Sequence, residues 1–213
     1  MRSALLLAPA DLTDDGRLTA EALVEARLAG ARVVLSACDT GVSEKRTEGE
    51  SFGLPRALLW GGARSVIVSL WKANDMAAYL LTREVYRRLP GEGAARALAN
   101  AQMWLRARTA ADVIASCEEL LGAEARHDVR ARLLLDRAAA EVLAHDFDAA
   151  RATYARVIHE TAADMAASEV ARASRALDLL ARRGDLPSSP DYERRPFMSA
   201  VHWAPFVVIG DWR

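Results

Sequence analysis

A cysteine near the start of the chain lies between an apolar run and a short polar stretch. In RVVLSACDTG, residues 32–41, apolar and small residues lead to Cys38, and an acid, a hydroxyl and a glycine follow it. A thiolate is a nucleophile, and a neighbouring imidazole activates a cysteine by taking its proton or lowering its pKa. A free cysteine also often serves as a small buried hydrophobe. Two interpretations of Cys38 therefore remain open, a nucleophile at a strand end and a core thiol.

The elements around Cys38 determine whether its thiol is accessible. The run RVVLSA at 32–37 is typical of a buried strand, and so is RSVIVSLW at 64–71. Helical patterns with short links separate and follow these runs, which predicts a parallel sheet with helices over its faces. The carboxyl ends of parallel strands form the crevice where ligands bind, so the position of Cys38 suits a nucleophile. Trp71, at the end of the second strand, either borders this crevice or belongs to the core.

Several local signals predict the neighbouring elements. The run ALLLA at 4–8 and the RL after Asp14-Asp15-Gly16 form a short hairpin, because an Asp-Gly turn accepts positive φ. Thr19 caps a helix that ends at Gly30. Further helices run over 52–63, with Pro55 in the first turn and a stop at Gly61-Gly62, and over 92–108. The helix over 75–89 places an apolar face on these residues: Met76, Tyr79, Leu80, Val85 and Leu89.

From about residue 109 to 183 the sequence contains helical patterns alone. Phe147, Ala150, Tyr154 and Val157 line one helical face, and the pair of helices around them is similar to a tetratricopeptide repeat. A proline-rich and serine-rich linker follows, and the last residues return to strand character. We therefore expect three segments: an α/β region over 1–106, a helical insertion with its linker over 107–196, and a final strand of the α/β region within 197–213.

Composition excludes several classes of function. The formal net charge of −1 and the pI near 6.4 provide no positive field for nucleic acid or an anionic membrane surface, so we expect neither as a partner. Cys38 and Cys117 form no CxxC or Cys/His pattern, which predicts no metal site and no disulfide framework, and Cys117 is expected in a helix core. Glycine spacing matches no nucleotide fingerprint, so no cofactor is expected. A reducing cytoplasm fits this cysteine usage.

Four stretches carry a family resemblance. VVLSACDTG at 33–41, GESFGLPRALLWGGARSVIVSLWKANDMAA at 49–78, LANAQMWLR at 98–106 and HWAPFVVIGDWR at 202–213 together resemble the C-terminal part of the CHAT domain, a family of caspase-like and separase-like cysteine peptidases. The resemblance covers residues 1–106 and about 200–213. It implies a caspase-like parallel sheet with flanking helices, whose N-terminal part is missing and which an all-helical, tetratricopeptide-like insertion interrupts. It also implies a His-Cys dyad with Cys38 as the nucleophile.

The resemblance also implies that the dyad histidine lies in a His-Gly motif upstream of the residues that match Ser3–Ala8. The histidines of this sequence are elsewhere: His127, His145 and His159 are expected to be solvated helix residues, and His202 lies beside the last strand. A thiol at its reference pKa of about 8.5 is only a few per cent ionised at neutral pH. We therefore expect weak or no activity from this sequence alone, and an upstream segment or partner chain that covers the sheet edge.

Three acids are candidates for a substrate pocket. Relatives in this peptidase group accept a basic side chain before the cleaved bond, and Asp39, Glu50 and Asp75 fall on loops that follow the strands. By resemblance, Asp75 forms one wall of that pocket. The alternative is helix capping, since Asn74 or Asp75 can cap the helix that follows.

Two hypotheses of function follow. In the first, the chain is a CHAT-type, caspase-like cysteine endopeptidase domain that hydrolyses a peptide or protein substrate with Cys38. In the second, it is a non-catalytic protein-interaction module, a pseudo-peptidase scaffold with tetratricopeptide-like helices. A thiol that reacts with an electrophilic peptide favours the first hypothesis, and an inaccessible thiol favours the second.

Overall fold

The computed structural model describes residues 4–7, 15–35, 53–124, 126–160, 167–182 and 189–213. The chain divides into two compact units. We call the first, Met1–Leu105 with Ser199–Arg213, the α/β unit, and the second, Arg106–Met198, the helical unit. No helix in the described part of the chain is long and apolar enough to cross a membrane.

The α/β unit contains a hairpin, a small sheet and surrounding helices. Its described elements in chain order are β1 (Ala4–Leu6), β2 (Arg17–Thr19), α1 (Ala20–Glu25), β3 (Arg32–Leu35), α2 (Leu54–Trp60), β4 (Ser65–Ser69), α3 (Asp75–Arg88), α4 (Ala94–Arg106), α9 (Ala200–Trp203) and β5 (Phe206–Gly210). The helical unit contributes α5 (Ala110–Ala123), α6 (His127–Leu143), α7 (Phe147–Glu160) and α8 (Ala167–Arg182).

The sheet has the strand order β3-β4-β5 in the described residues. β3 and β4 are parallel, with Leu35 opposite Val68, whereas β5 returns antiparallel to β4, with Phe206 opposite Ser69. The prediction of a parallel sheet is therefore confirmed for β3 and β4 but not for the last strand. Every residue of the central strand β4 is buried, while β3 is half-buried beyond its exposed first residue, in contrast to the expectation for a strand buried on both faces.

β1, β2 and α1 form the hairpin and the capped helix that the sequence predicts. β1 pairs antiparallel with β2, and the Thr19 hydroxyl accepts a hydrogen bond from the Ala22 amide at 3.3 Å. α1 nevertheless ends at Glu25, well before Gly30. The chain leaves the helix because the Leu28 and Gly30 amides donate to the carbonyls that follow α2, those of Gly61 and Gly62, at 2.6 and 2.8 Å.

The helices α2 and α3 largely follow the sequence pattern. α2 has its proline in the first turn and ends at Gly61. On α3 the expected apolar residues Met76, Leu80 and Val85 are buried, but Tyr79 is 37% exposed, so its assignment to the buried face is wrong. The buried face of α3 carries other residues, and Tyr79 lies outside it: Met76, Ala77, Leu80, Leu81, Glu84 and Val85 are buried.

A buried carboxylate closes the last turn of α3. Glu84 has a side chain that is only 6% exposed, and it accepts hydrogen bonds from Arg87 at 2.6 Å and from Arg88 at 2.7 Å. The hydrogen bond from Arg87, followed by that from Arg88, lowers the pKa of Glu84 below its ordinary value of 4.5, against the opposing effect of burial. Folding therefore favours the ionised form of Glu84.

Glu84→Gln is expected to lower the free energy of unfolding by about 1 to 2 kcal/mol at pH 7, because charge-assisted hydrogen bonds are lost. A lowered folded pKa gives stability that is present above the unfolded value and lost as pH falls through the folded one. The difference in the free energy of unfolding between wild type and Glu84→Gln should thus become smaller below about pH 4.5. Urea unfolding across pH measures it, with Asp148→Asn, whose side chain is 79% exposed, as the control. A pH-independent difference would contradict the ionic role.

The helical unit packs its successive helices against one another. Its core includes Leu134 and Leu135 of α6 and the α7 residues whose common face the sequence predicts, namely Phe147, Ala150, Tyr154 and Val157. That prediction is confirmed. Cys117 on α5 is buried, as expected, and burial raises the pKa of its thiol to about 12. This thiol is therefore protonated and shielded at neutral pH.

The described end of the linker, from residue 189, is held by hydrogen bonds within the helical unit. The Asp191 amide donates to the Ala144 carbonyl at 2.7 Å, and the Ala110 amide donates to the Arg194 carbonyl at 2.7 Å. His145 lies in the turn between α6 and α7 with φ of 61°, and its Nε2 is 2.8 Å from an Arg194 nitrogen. The expectation that His145 is a solvated helix residue is wrong, because this turn requires a left-handed residue.

Candidate functional site

The carboxyl ends of β3 and β4 lie at one edge of the sheet. Because these strands are parallel, Leu35 and Ser69 end at the same side, and the antiparallel β5 begins there with Phe206. We call the end of β3, the end of β4 with the loop 70–74, and α9 the carboxyl edge. Such edges of open sheets are where ligands bind.

Most of the sequence-predicted site residues fall just beyond the described strand β3. Cys38, Asp39 and Glu50 lie outside the described residues, so the prediction of a nucleophile at Cys38 stays a prediction. Along the chain, Cys38 follows the last residue of β3, Leu35, by three positions. Asp75 alone of the predicted site residues has a described environment.

Asp75 is an exposed acid at the start of α3. The helix cap is its neighbour Asn74, whose Oδ1 accepts a hydrogen bond from the Ala77 amide at 2.9 Å. The alternative that Asp75 caps the helix is therefore wrong. Its carboxylate remains in the first turn, where the helix dipole favours a negative charge, and it is exposed next to the loop of the carboxyl edge. The arrangement leaves Asp75 available to a cationic ligand.

Trp71 connects the loop after β4 to the short helix α9. Its side chain is 36% exposed, and its indole Nε1–H donates to the Val201 carbonyl at 3.2 Å. One residue earlier, the Leu70 amide donates to the Pro205 carbonyl at 2.9 Å. Of the two interpretations of Trp71, the one that places it at the crevice agrees with this exposure.

Gln102 on α4 is a residue that sequence reasoning missed. Its Nε2 donates to two carbonyl oxygens, those of Trp203 at the end of α9 and Phe206 at the start of β5, both at 3.0 Å. The helical periodicity of α4 was the sequence signal that could have identified Gln102. Gln102 is a half-buried polar residue directly after the buried Ala101 on this amphipathic helix. An amide at such a position indicates a partner for its donors.

His202 lies on α9 and is half-buried. Burial lowers the pKa of its imidazole, so this side chain is largely neutral at pH 7. His127 and His159 are exposed on α6 and α7, as expected. No group of three or more His, Cys, Asp or Glu residues in the described ranges is arranged to hold a metal ion.

Comparison with known families assigns the chain. The family model described as CHAT domain matches residues 1–211, which includes the helical segment in addition to the two ranges that the resemblance covers. Comparisons with curated proteins and with solved structures find no match. Because the family match spans nearly all 213 residues, it is not limited to one motif. The protein with this carboxyl edge and its helical unit therefore belongs to the CHAT domain family.

Proposed function

We propose that the chain is a CHAT-type, caspase-like cysteine endopeptidase domain with Cys38 as its nucleophile. The observation that carries the proposal is the family match over residues 1–211, together with the motif VVLSACDTG that continues from the parallel strand β3. Peptide hydrolysis at such a residue begins when the thiolate attacks the scissile carbonyl carbon and forms an acyl-enzyme, and a protonated base gives its proton to the leaving amine. Water then hydrolyses the acyl-enzyme.

The proton acceptor is the second requirement of this chemistry. The family resemblance assigns it to a His-Gly motif upstream of the residues that match Ser3–Ala8. We expect cleavage of a peptide when that His-Gly segment is joined to this chain, and we expect Cys38→Ala to abolish it. Without the histidine, the thiol of Cys38 is expected to react with strong electrophiles but to turn over substrates weakly or not at all.

The substrate class follows from the acids of the proposed pocket. Asp39, Glu50 and Asp75 would favour a basic side chain before the cleaved bond, and the exposure of Asp75 supports a contact with it. We expect Asp75→Asn to lower the preference for an arginine-bearing over a neutral peptidyl electrophile by about two- to fivefold, as for an exposed ion pair. The ratio of the two labelling rates measures this preference. An unchanged ratio would remove Asp75 from the pocket.

Labelling of the folded chain tests the nucleophile directly. An electrophilic peptide that bears arginine should modify Cys38, as read by mass spectrometry, and Cys38→Ala should abolish the labelling. Cys117 serves as the internal control, because it is buried and its pKa is raised to about 12. A Cys38 that labels no faster than Cys117 in the folded protein, while both label after denaturation, would contradict the proposed role.

An inert Cys38 would favour the second function, a protein-interaction module. The helical unit supports that alternative, because α6 and α7 pack as an adjacent pair on a common core, as in tetratricopeptide-like repeats. A peptide or protein is the expected partner under either function. We further propose that an upstream segment or a partner chain covers the sheet edge, as the family resemblance implies.

A further inference from the structure

The short helix α9 is held at the carboxyl edge by side chains from two other elements. Gln102 of α4 bonds the Trp203 and Phe206 carbonyls at 3.0 Å, and Trp71 of the loop after β4 bonds the Val201 carbonyl at 3.2 Å. We call these three hydrogen bonds the α9 clamp. A single helical turn has little stability of its own, so its position depends on such bonds.

Gln102 donates to two backbone carbonyls, one at the end of α9 and one at the start of β5. The Trp203 carbonyl ends a helix, where the last carbonyls have no partner within the helix. The Phe206 carbonyl points away from β4, because Pro205 bonds the β4 side and successive residues of a strand alternate. The side-chain amide nitrogen of a glutamine carries two hydrogens, so Nε2 of Gln102 can donate to both carbonyl oxygens.

The α9 clamp joins parts of the α/β unit that are far apart along the chain. Gln102 lies on α4, whereas the two carbonyls that it bonds follow Ser199. The bond between Trp71 and Val201 joins α9 to the loop that precedes Asp75.

We propose that Gln102 is a positioning residue that fixes α9 and, through the bond between Trp71 and Val201, the loop 70–74. That the order of this loop affects a peptidase rests on the proposed function, whereas the positioning role itself does not.

Hydrogen exchange of backbone amides tests the positioning role without any need for catalysis. In Gln102→Leu, the Leu70 amide, which donates to Pro205, should exchange about tenfold faster, because the two hydrogen bonds from Gln102 no longer hold α9. Gln102→Lys, which retains a donor, should restore part of the protection. Asn100→Leu is the matched control, since this amide on the same helix bonds Glu92 and not α9.

The amide of Ile67 within β4 shows whether an effect is local. Faster exchange at Leu70 with unchanged exchange at Ile67 supports the positioning role, and Cys38 should then also label at a different rate in Gln102→Leu. Equal changes at both amides, or the same change in Asn100→Leu, would reduce Gln102 to a stability role and overturn the proposal. If Cys38 labels in no variant, the proposed function fails, and the exchange at Leu70 still decides the positioning role.

Discussion

Gly61→Ala is expected to lower the free energy of unfolding of the α/β unit by about 3 kcal/mol, the upper range for forcing extra volume into a packed site. A Cβ on Gly61 would lie 2.1 Å from the Leu23 carbonyl oxygen, which belongs to the backbone of α1 and is not free to rotate away. The Gly61 carbonyl also accepts the Leu28 amide at 2.6 Å, so a displaced turn would lose this bond. Urea unfolding followed by tryptophan fluorescence measures the change.

The control for this substitution is Gly91→Ala. The nearest atom to its new Cβ is the Arg88 carbonyl oxygen at 4.0 Å, an ordinary contact. We expect Gly91→Ala to change the free energy of unfolding by no more than about 0.5 to 1 kcal/mol. Equal stabilities of the two variants would mean that α1 and α2 do not approach each other as described.

Leu134→Ala is expected to destabilise the helical unit by about 2 to 5 kcal/mol. Leu134 on α6 is fully buried in the core that α7 and α8 share, so truncation removes apolar contacts and leaves a cavity. Far-ultraviolet circular dichroism during thermal unfolding reports on this unit, because it contains the four helices α5 to α8 among the described residues.

The matched control is Leu179→Ala on α8. The same side chain is removed, but Leu179 is 63% exposed, so the expected change is within about 0.5 kcal/mol. A loss at Leu179 as large as that at Leu134 would contradict the orientation of α8, whose buried face carries Ala173 and Leu180.

The sequence predicted the elements whose pattern is strong and local. β4 has an apolar centre, VIV, between two serines, α2 has a proline and a glycine at its ends, and Thr19 caps α1 as its residue type favours. The end of α1 was wrong because hydrogen bonds from Leu28 and Gly30 to a distant turn, rather than local propensity, terminate that helix. The direction of β5 also could not be predicted from a local sequence pattern, since the pattern of apolar residues alone does not distinguish parallel from antiparallel pairing.

The candidate site shows the same limit. The sequence placed Asp75 on the loop after β4, whereas it is the first residue of α3, directly after that loop. The sequence also did not distinguish Asn74 from Asp75 as the cap, because either side chain can accept the bond. Gln102 escaped notice because its partners are backbone carbonyls of a segment that lies beyond the helical unit in sequence. The role of His145 depends on the left-handed turn in which it lies, and its residue type alone does not reveal that turn.

The antiparallel return of β5 has a consequence for synthesis on the ribosome. The partner of β4 on this side is translated only after the entire helical unit, since Ser65 pairs with Gly210. Non-local pairs of this kind form late, whereas helices with local contacts form early. A nascent chain should thus acquire its helical unit before β5 pairs with β4, so the sheet of the α/β unit gains this strand only after the helical unit has been translated.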